Sequence, residues 1–341
     1  MVDKRESFAA YKRLRTIDEL ARRIANAAGL STNIELVPQA VKLGGNGPNM
    51  ANALVRLGAG VSYLGALGVP TIDPVFLELT ERCREVHSVA APGHTDALEF
   101  NDGKVMLGKM ESLNEVTWRA LKEKVGEDCL KRIFTDVDLV ATVNWTMLPD
   151  MNEIWRGLLN LKPEPKEGFK PYFFVDLADP GKRSSRDILE ALRLIQKFTP
   201  FYRVILGLNR KEASELAAVL GLRLSGPNQE VDLEEITTEL GAALKLWCVV
   251  VHPPNEVGAA GFAGYVAVPG PFTANPRLTT GAGDNFNAGF CLGLMLQLSL
   301  KNSLLLGKAV SGFYVRSAYS PSFEELKDFL KLWAAHAGEA F

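Results

Sequence analysis

The sequence predicts an α/β fold, a mostly parallel sheet with helices on both faces. Three observations carry this. Between residues 138 and 252, extended runs alternate with helical ones, and strands joined through helices pair in parallel. Two glycine-rich turns, around Gly44-Gly45-Asn46 and Gly281-Ala282-Gly283, each open a helix, and sheets of this kind gather ligands at such places beyond their strand ends. The chain has 341 residues, 47% hydrophobic and 23% charged, which suits one α/β domain with a small appendage.

The elements follow in order. Residues 1–29 are mostly helical in pattern, with Ile17, Leu20, Ala21, Ile24 and Ala27 at helical spacing and Thr16 placed to cap ahead of Asp18 and Glu19. Residues 32–43 are extended, but Pro38 demotes them to an edge or irregular strand. Gly44 to Asn49 then leads into a helix over 50–57, a strand over 61–67 and a helix over 73–83. Residues 96–108 form a hairpin, because Asn101-Asp102-Gly103 is a strong turn signal, and a hairpin inside a βα pattern belongs to a separate small sheet. Strands are expected over 138–145, 172–177, 202–207 and 247–252, and helices over 151–161, 186–198, 211–220 and 234–245. Residues 162–168 make an exposed linker. The apolar run over 286–300 is a buried helix, and 304–317 is another.

Composition excludes several functions. The net charge of −2 offers nothing to nucleic acid or an anionic membrane. Cys83, Cys129, Cys248 and Cys291 are widely spaced and form no C-x-x-C pair, so they are expected as thiols in the reducing cytoplasm and not as a zinc site. Residues from Val2 onward are charged, unlike a signal peptide, and the run from Phe286 is too short to span a bilayer. Its Gly289-x-x-x-Gly293 spacing lets that helix lie close on a sheet.

The chemistry concentrates at residues 279–287 (TTGAGDNFN). Gly281, Ala282 and Gly283 fall where a helix begins, and their N–H groups would favour an anion. Asp284 is a carboxylate set in an anion site. The role that fits is to take a proton from a hydroxyl as it attacks a phosphoryl group held by those N–H groups. Asn46 and Asn49 supply donors and acceptors suited to a polyhydroxylated molecule, and Gly44 and Gly45 permit close approach. Asn209 and Glu212 put two oxygen ligands on one helical turn; taken alone this is first the spacing of a capping box, though hard oxygen ligands so placed also suit Mg²⁺ through water.

These motifs, in this order, resemble the ribokinase-like (PfkB-type) carbohydrate kinases, whose signatures are G-G-x-x-x-N early and D-T-T-G-A-G-D-x-F late. The resemblance spans the chain from about Thr32 onward. It implies a three-layer αβα sandwich with a small β lid built from about residues 32–43 and 96–108. It also implies transfer of the ATP γ-phosphoryl group to a hydroxyl of a sugar, a primary one being expected. Asp284 would be the base. Gly281, Ala282 and Gly283 would form the anion hole, and Gly44, Gly45, Asn46 and Asn49 would hold the sugar. Asn209, Thr280 and Gly283 would meet the nucleotide, and Glu212 with Asn209 would meet Mg²⁺. The implied partners are a sugar and ATP, with a homodimer through the lid left open.

Three departures stand out. Leu278 replaces an Asp that shapes a monovalent-cation loop, which leaves activation by such an ion open. His252-Pro253-Pro254 replaces the hydroxyl residue and glycine that contact phosphate and adenine; of the later residues Lys308 and Ser311 are within reach of the base, but apolar packing is the expected role of their helix face. The family opens with a buried strand and an acidic sugar ligand; residues 1–29 hold neither, and the expectation is that the natural protein begins upstream of Met1. The same motifs fit a non-catalytic sugar- or nucleotide-binding descendant of the fold. A dinucleotide-dependent oxidoreductase fits less well, since Gly45-x-Gly47 leads to Met50 where a glycine or alanine is needed.

Overall fold

The computed structural model describes residues 2–5, 7, 10–161, 170–226, 231–262 and 264–336. The expected linker at 162–168 lies outside them. The chain divides into two compact units, residues 1–42 with 92–112, and residues 43–91 with 113–341.

In chain order, β1 (Val2–Arg5) and β2 (Tyr11–Arg13) form an antiparallel ribbon ahead of α1 (Ile17–Ala25). Next come α2 (Asn46–Arg56), β3 (Ser62–Gly65), the short α3 (Leu77–Thr80) and β4 (Glu85–Ser88). A hairpin follows, β5 (His94–Phe100) with β6 (Gly103–Lys109). Then come α4 (Trp118–Val125), α5 (Glu127–Thr135), β7 (Leu139–Val143), α6 (Met151–Asn160) and β8 (Tyr172–Asp176). They are followed by α7 (Ser185–Gln196), β9 (Arg203–Leu208), α8 (Arg210–Val219), α9 (Leu233–Leu244) and β10 (Cys248–Val251). The chain closes with β11 (Glu256–Gly261), β12 (Gly264–Pro269), α10 (Ala282–Met295), α11 (Leu300–Ser317) and α12 (Phe323–Ala335).

The main sheet runs β12-β11-β10-β9-β8-β7. Its strands β7 to β10 are parallel, as expected, while β11 and β12 add an antiparallel hairpin at one edge. Side chains alternate across it. Phe173, Val175, Val204, Leu206, Val249 and Val251 join one core with α6 to α9. Tyr172, Phe174, Ile205, Cys248 and Val250 join the other with α2, α10 and α11. Each fully buried large side chain contributes about 1.5–3 kcal/mol, so both faces must be covered. The result is three layers, with strand ends and helix starts meeting at one edge of the sheet.

Several expectations are corrected. Among the described residues of 1–29 only α1 is helical, where the apolar repeat begins behind a capping box of Thr16 and Glu19. Ahead of it, residues 2–5 and 11–13 pair as a ribbon instead. Residues 32–43 make no strand beyond a bridge at Glu35, in keeping with the donor that Pro38 lacks. The helix expected over 73–83 shrinks to a 3₁₀ turn at Pro74–Phe76 and α3. The run over 286–300 breaks after Met295, where Gln297 takes a φ of 58° and Ser299 caps α11. Gly289 and Gly293 admit α11, not the sheet. A Cβ at Gly289 would stand 2.9 Å from the Leu306 carbonyl oxygen, and one at Gly293 2.7 Å from Ser303 Cα. No helix of the described residues is long and apolar enough to cross a membrane.

Candidate active site

Gly281 sets the start of α10. Its φ is +92°, and a Cβ there would meet the Tyr314 hydroxyl at 2.7 Å and Asn49 Nδ2 at 3.1 Å. Both conformation and space therefore require glycine. The Tyr314 hydroxyl donates to the Thr280 carbonyl at 2.7 Å, and Ser311 Oγ to the Ala282 carbonyl at 2.9 Å, so α11 fixes this turn from behind. The N–H of Ala282 donates to the Thr279 carbonyl at 3.1 Å. That amends the expected trio of N–H donors: Ala282 is engaged in the turn. The N–H groups of Gly281, Gly283 and Asp284 meet no backbone carbonyl among the described residues.

Asp284 is 7% exposed. Asn46 Nδ2 donates to its Oδ1 at 3.0 Å, and Asn49 Nδ2 to its Oδ2 at 2.9 Å. Both asparagines lie on the first turn of α2, which starts at Gly45 with a φ of +92°. Gly44 precedes it, with open space where a Cβ would be. The two glycine-rich motifs, far apart in sequence, thus meet at one carboxylate. Burial pushes the Asp284 carboxyl up to about 7; the Asn49 and Asn46 amides pull it back, and the charge of Glu212 adds to the rise.

Two further acids share the neighbourhood. Asp176 ends β8; its Oδ1 accepts from the Ala178 N–H at 2.8 Å and its Oδ2 from Asn287 Nδ2 at 2.8 Å. Burial, then the charges of Glu212 and Asp284, hold it well above the usual carboxylate range. Glu212 and Asn209 form the capping box of α8: Glu212 N–H donates to Asn209 Oδ1 at 3.0 Å, and Asn209 N–H to Glu212 Oε2 at 2.8 Å. Glu212 Oε1 also accepts from the Asp179 N–H at 2.9 Å, which ties the turn after β8 to α8. Each Glu212 oxygen is given one N–H here and keeps capacity to accept more. The charge of Glu212 raises the proton affinity of both Asp176 and Asp284, and such a group of buried carboxylates, with hard oxygen donors still available, fits a hydrated Mg²⁺.

His252 follows β10, where sequence reasoning saw only a departure. Its Cε1 lies 3.4 Å from where a Gly283 Cβ would stand, and its ring leans on Phe286 with centroids 4.8 Å apart. Burial, then the charge of Lys308, lowers it to about 4, so the ring is neutral. Lys308 points its Nζ at the carbonyls of Pro253 (2.9 Å) and Pro254 (2.7 Å). It is an anchor for this loop and does not simply pack, as its apolar surroundings had suggested. Asn287, three residues past Asp284 on the same helix face, is the member that the helical repeat alone would have found.

Comparison with known proteins bears on the family and the fold. A family model described as prokaryotic ketohexokinase matches residues 1–333. A ketohexokinase of Haloferax volcanii is 32% identical over 337 residues, covering 96% of this chain and 86% of that protein. Among solved structures, a ribokinase from Thermotoga maritima has a TM-score of 0.63 at 18% identity, covering 88% of this chain and 91% of that one. A nucleoside kinase from Burkholderia thailandensis, in complex with inosine, has a TM-score of 0.62 at 15% identity over 88% and 91% of the two chains. The structural likenesses establish the ribokinase-like fold. Matched along nearly all of its length, the chain belongs to the prokaryotic ketohexokinase family, among the ATP-dependent carbohydrate kinases.

Proposed function

We propose that this kinase transfers the γ-phosphoryl group of ATP to a primary hydroxyl of a ketohexose, with Asp284 as general base. The observation that carries this is the buried Asp284 carboxylate at the start of α10, gripped by Asn46 and Asn49. A base with a proton affinity near neutrality is matched to removing a hydroxyl proton as the oxygen attacks. The ketohexose as acceptor rests on the family and on the name of the Haloferax relative.

Asn46 and Asn49 orient the carboxylate and line the approach of the sugar, with Gly44 and Gly45 allowing the backbone close. The N–H groups of Gly281 and Gly283 face the charge that builds on the transferring group. Fixed donors of this sort contribute a few kcal/mol each. Thr280 and Asn209 flank the nucleotide. Glu212 and Asn209, through water, would hold Mg²⁺, which supplies charge neutralisation along the phosphates. His252, beside Gly283, contributes a neutral ring there.

The test is a coupled ADP-release assay over a panel of ketohexoses, aldoses and nucleosides. The expected result is preference for a ketohexose, with Asp284→Asn folded and nucleotide-binding but slower by several orders of magnitude. Preference for an aldose or nucleoside would overturn the substrate. Retained turnover in the variant would overturn the base.

A further inference from the structure

We propose that Glu85, His87 and Cys129 form a second cation site, one that takes a thiophilic divalent ion of the Zn²⁺ kind, separate from the phosphoryl-transfer machinery. Glu85 and His87 are alternate residues of β4, so both side chains leave the same face of the strand. Cys129 faces them from α5. Glu85 Oε1 lies 2.7 Å from His87 Nε2, and Cys129 Sγ lies 3.6 Å from Oε1 and 3.7 Å from Nε2. Tetrahedral zinc, at its usual bond lengths, spaces an N and an O about 3.3 Å apart and puts sulfur about 3.5 Å from either. The two edges that involve sulfur already match, and the third needs to open by about 0.6 Å. The Glu85 and His87 side chains are 27% and 23% exposed, so water can reach a fourth position. Thiolate and imidazole select zinc over Mg²⁺, so the ion that accompanies ATP does not compete.

Arg132 decides when such an ion enters. One guanidinium nitrogen donates to both Glu85 oxygens, at 2.7 and 2.9 Å, and to Cys129 Sγ at 3.3 Å. It is the resident cation on the same donors, and it holds the Glu85 carboxyl down at about 2. Its side chain is 54% exposed, so it has room to turn into solvent or to stay on Oε2 as an outer partner of the ligating carboxylate. Ion binding needs the Nε2 lone pair and the thiolate, so the His87 proton shifts to Nδ1 and the Cys129 proton is released. No sequence spacing announces this site; Cys129 is 44 residues from Glu85 and 42 from His87.

The test is titration of the full chain with Co²⁺, a spectroscopic stand-in for zinc, in Mg²⁺-containing buffer, with circular dichroism to verify folding of each variant. A sulfur-to-cobalt charge-transfer band saturating at one equivalent is expected. It should vanish in Cys129→Ser, weaken about tenfold or more in His87→Ala, and stay in Asp284→Asn. Arg132→Ala, which removes the competitor, should tighten binding severalfold. No band in folded protein, a band that survives Cys129→Ser, or weaker binding in Arg132→Ala overturns the proposal.

Discussion

Replacing Asp284 with Asn should stabilise the protein while it removes activity, and the gain should depend on pH. Burial moves this carboxyl from its ordinary 3.8 to about 7. That interval corresponds to about 4 kcal/mol. Between those values the folded chain holds a proton that the unfolded chain releases. Stability from this group therefore falls as pH rises through the window and is level above about 7. An amide cannot ionise, so Asp284→Asn escapes the cost. It also places one amide nitrogen against the Asn46 or Asn49 amide, which takes back about 1–3 kcal/mol. The net gain at pH 8 is about 1–3 kcal/mol. An unfolding entropy of about 2.1 cal/mol/K per residue converts that to about 1–4 °C in Tm. Near pH 5 most of the ionisation cost is gone, and variant and parent should melt together. Differential scanning fluorimetry from pH 5 to 8 makes the comparison. A variant less stable at pH 8, or a difference that ignores pH, would refute the assignment of a desolvated carboxyl.

Gly281→Ala should cost more than about 1 kcal/mol in denaturant unfolding, because the backbone is left-handed and the new methyl meets Tyr314 and Asn49. Its kcat should fall with it, and an unchanged midpoint would contradict the packing described. Glu212→Gln should lower stability by about 1–3 kcal/mol, since the Asp179 and Asn209 N–H groups reach different oxygens and glutamine puts a donor in place of one of them. It should also raise the Mg²⁺ concentration needed for half-maximal rate; stability loss alone would make Glu212 a cap and nothing more. Lys308→Met leaves the Pro253 and Pro254 carbonyls without their donor. It should raise KM for ATP more than it lowers kcat, and the reverse pattern would place the loop elsewhere in the reaction.

The fold was legible because its periodicities are local. Strands β7 to β10 and the helices between them are written as alternating apolar patterns, and their ends fell within a few residues of expectation. The hairpin at residues 94–109 followed from its Asp-Gly step. The ribbon before α1 was not legible, because β2 is exposed along its whole length and offers no alternating apolar pattern. At the site, Asp284, Asn46 and Asn49 announced themselves through their motifs, but their contact did not. It depends on α2 packing beside α10, and no spacing of 235 or 238 residues encodes that. The part His252 and Lys308 play in this loop stayed hidden for a related reason. A proline pair looks like an interruption until a buried ammonium is found holding its carbonyls.

The most direct trial of the general-base assignment is the pH dependence of kcat/KM for ATP-dependent phosphorylation of the preferred sugar. The assignment predicts a rate that climbs with pH and levels off near 7, as Asp284 ionises, and that is lost across the whole range in Asp284→Asn. A rate that is flat from pH 5 to 8, or a variant that follows the parent's profile, would contradict it.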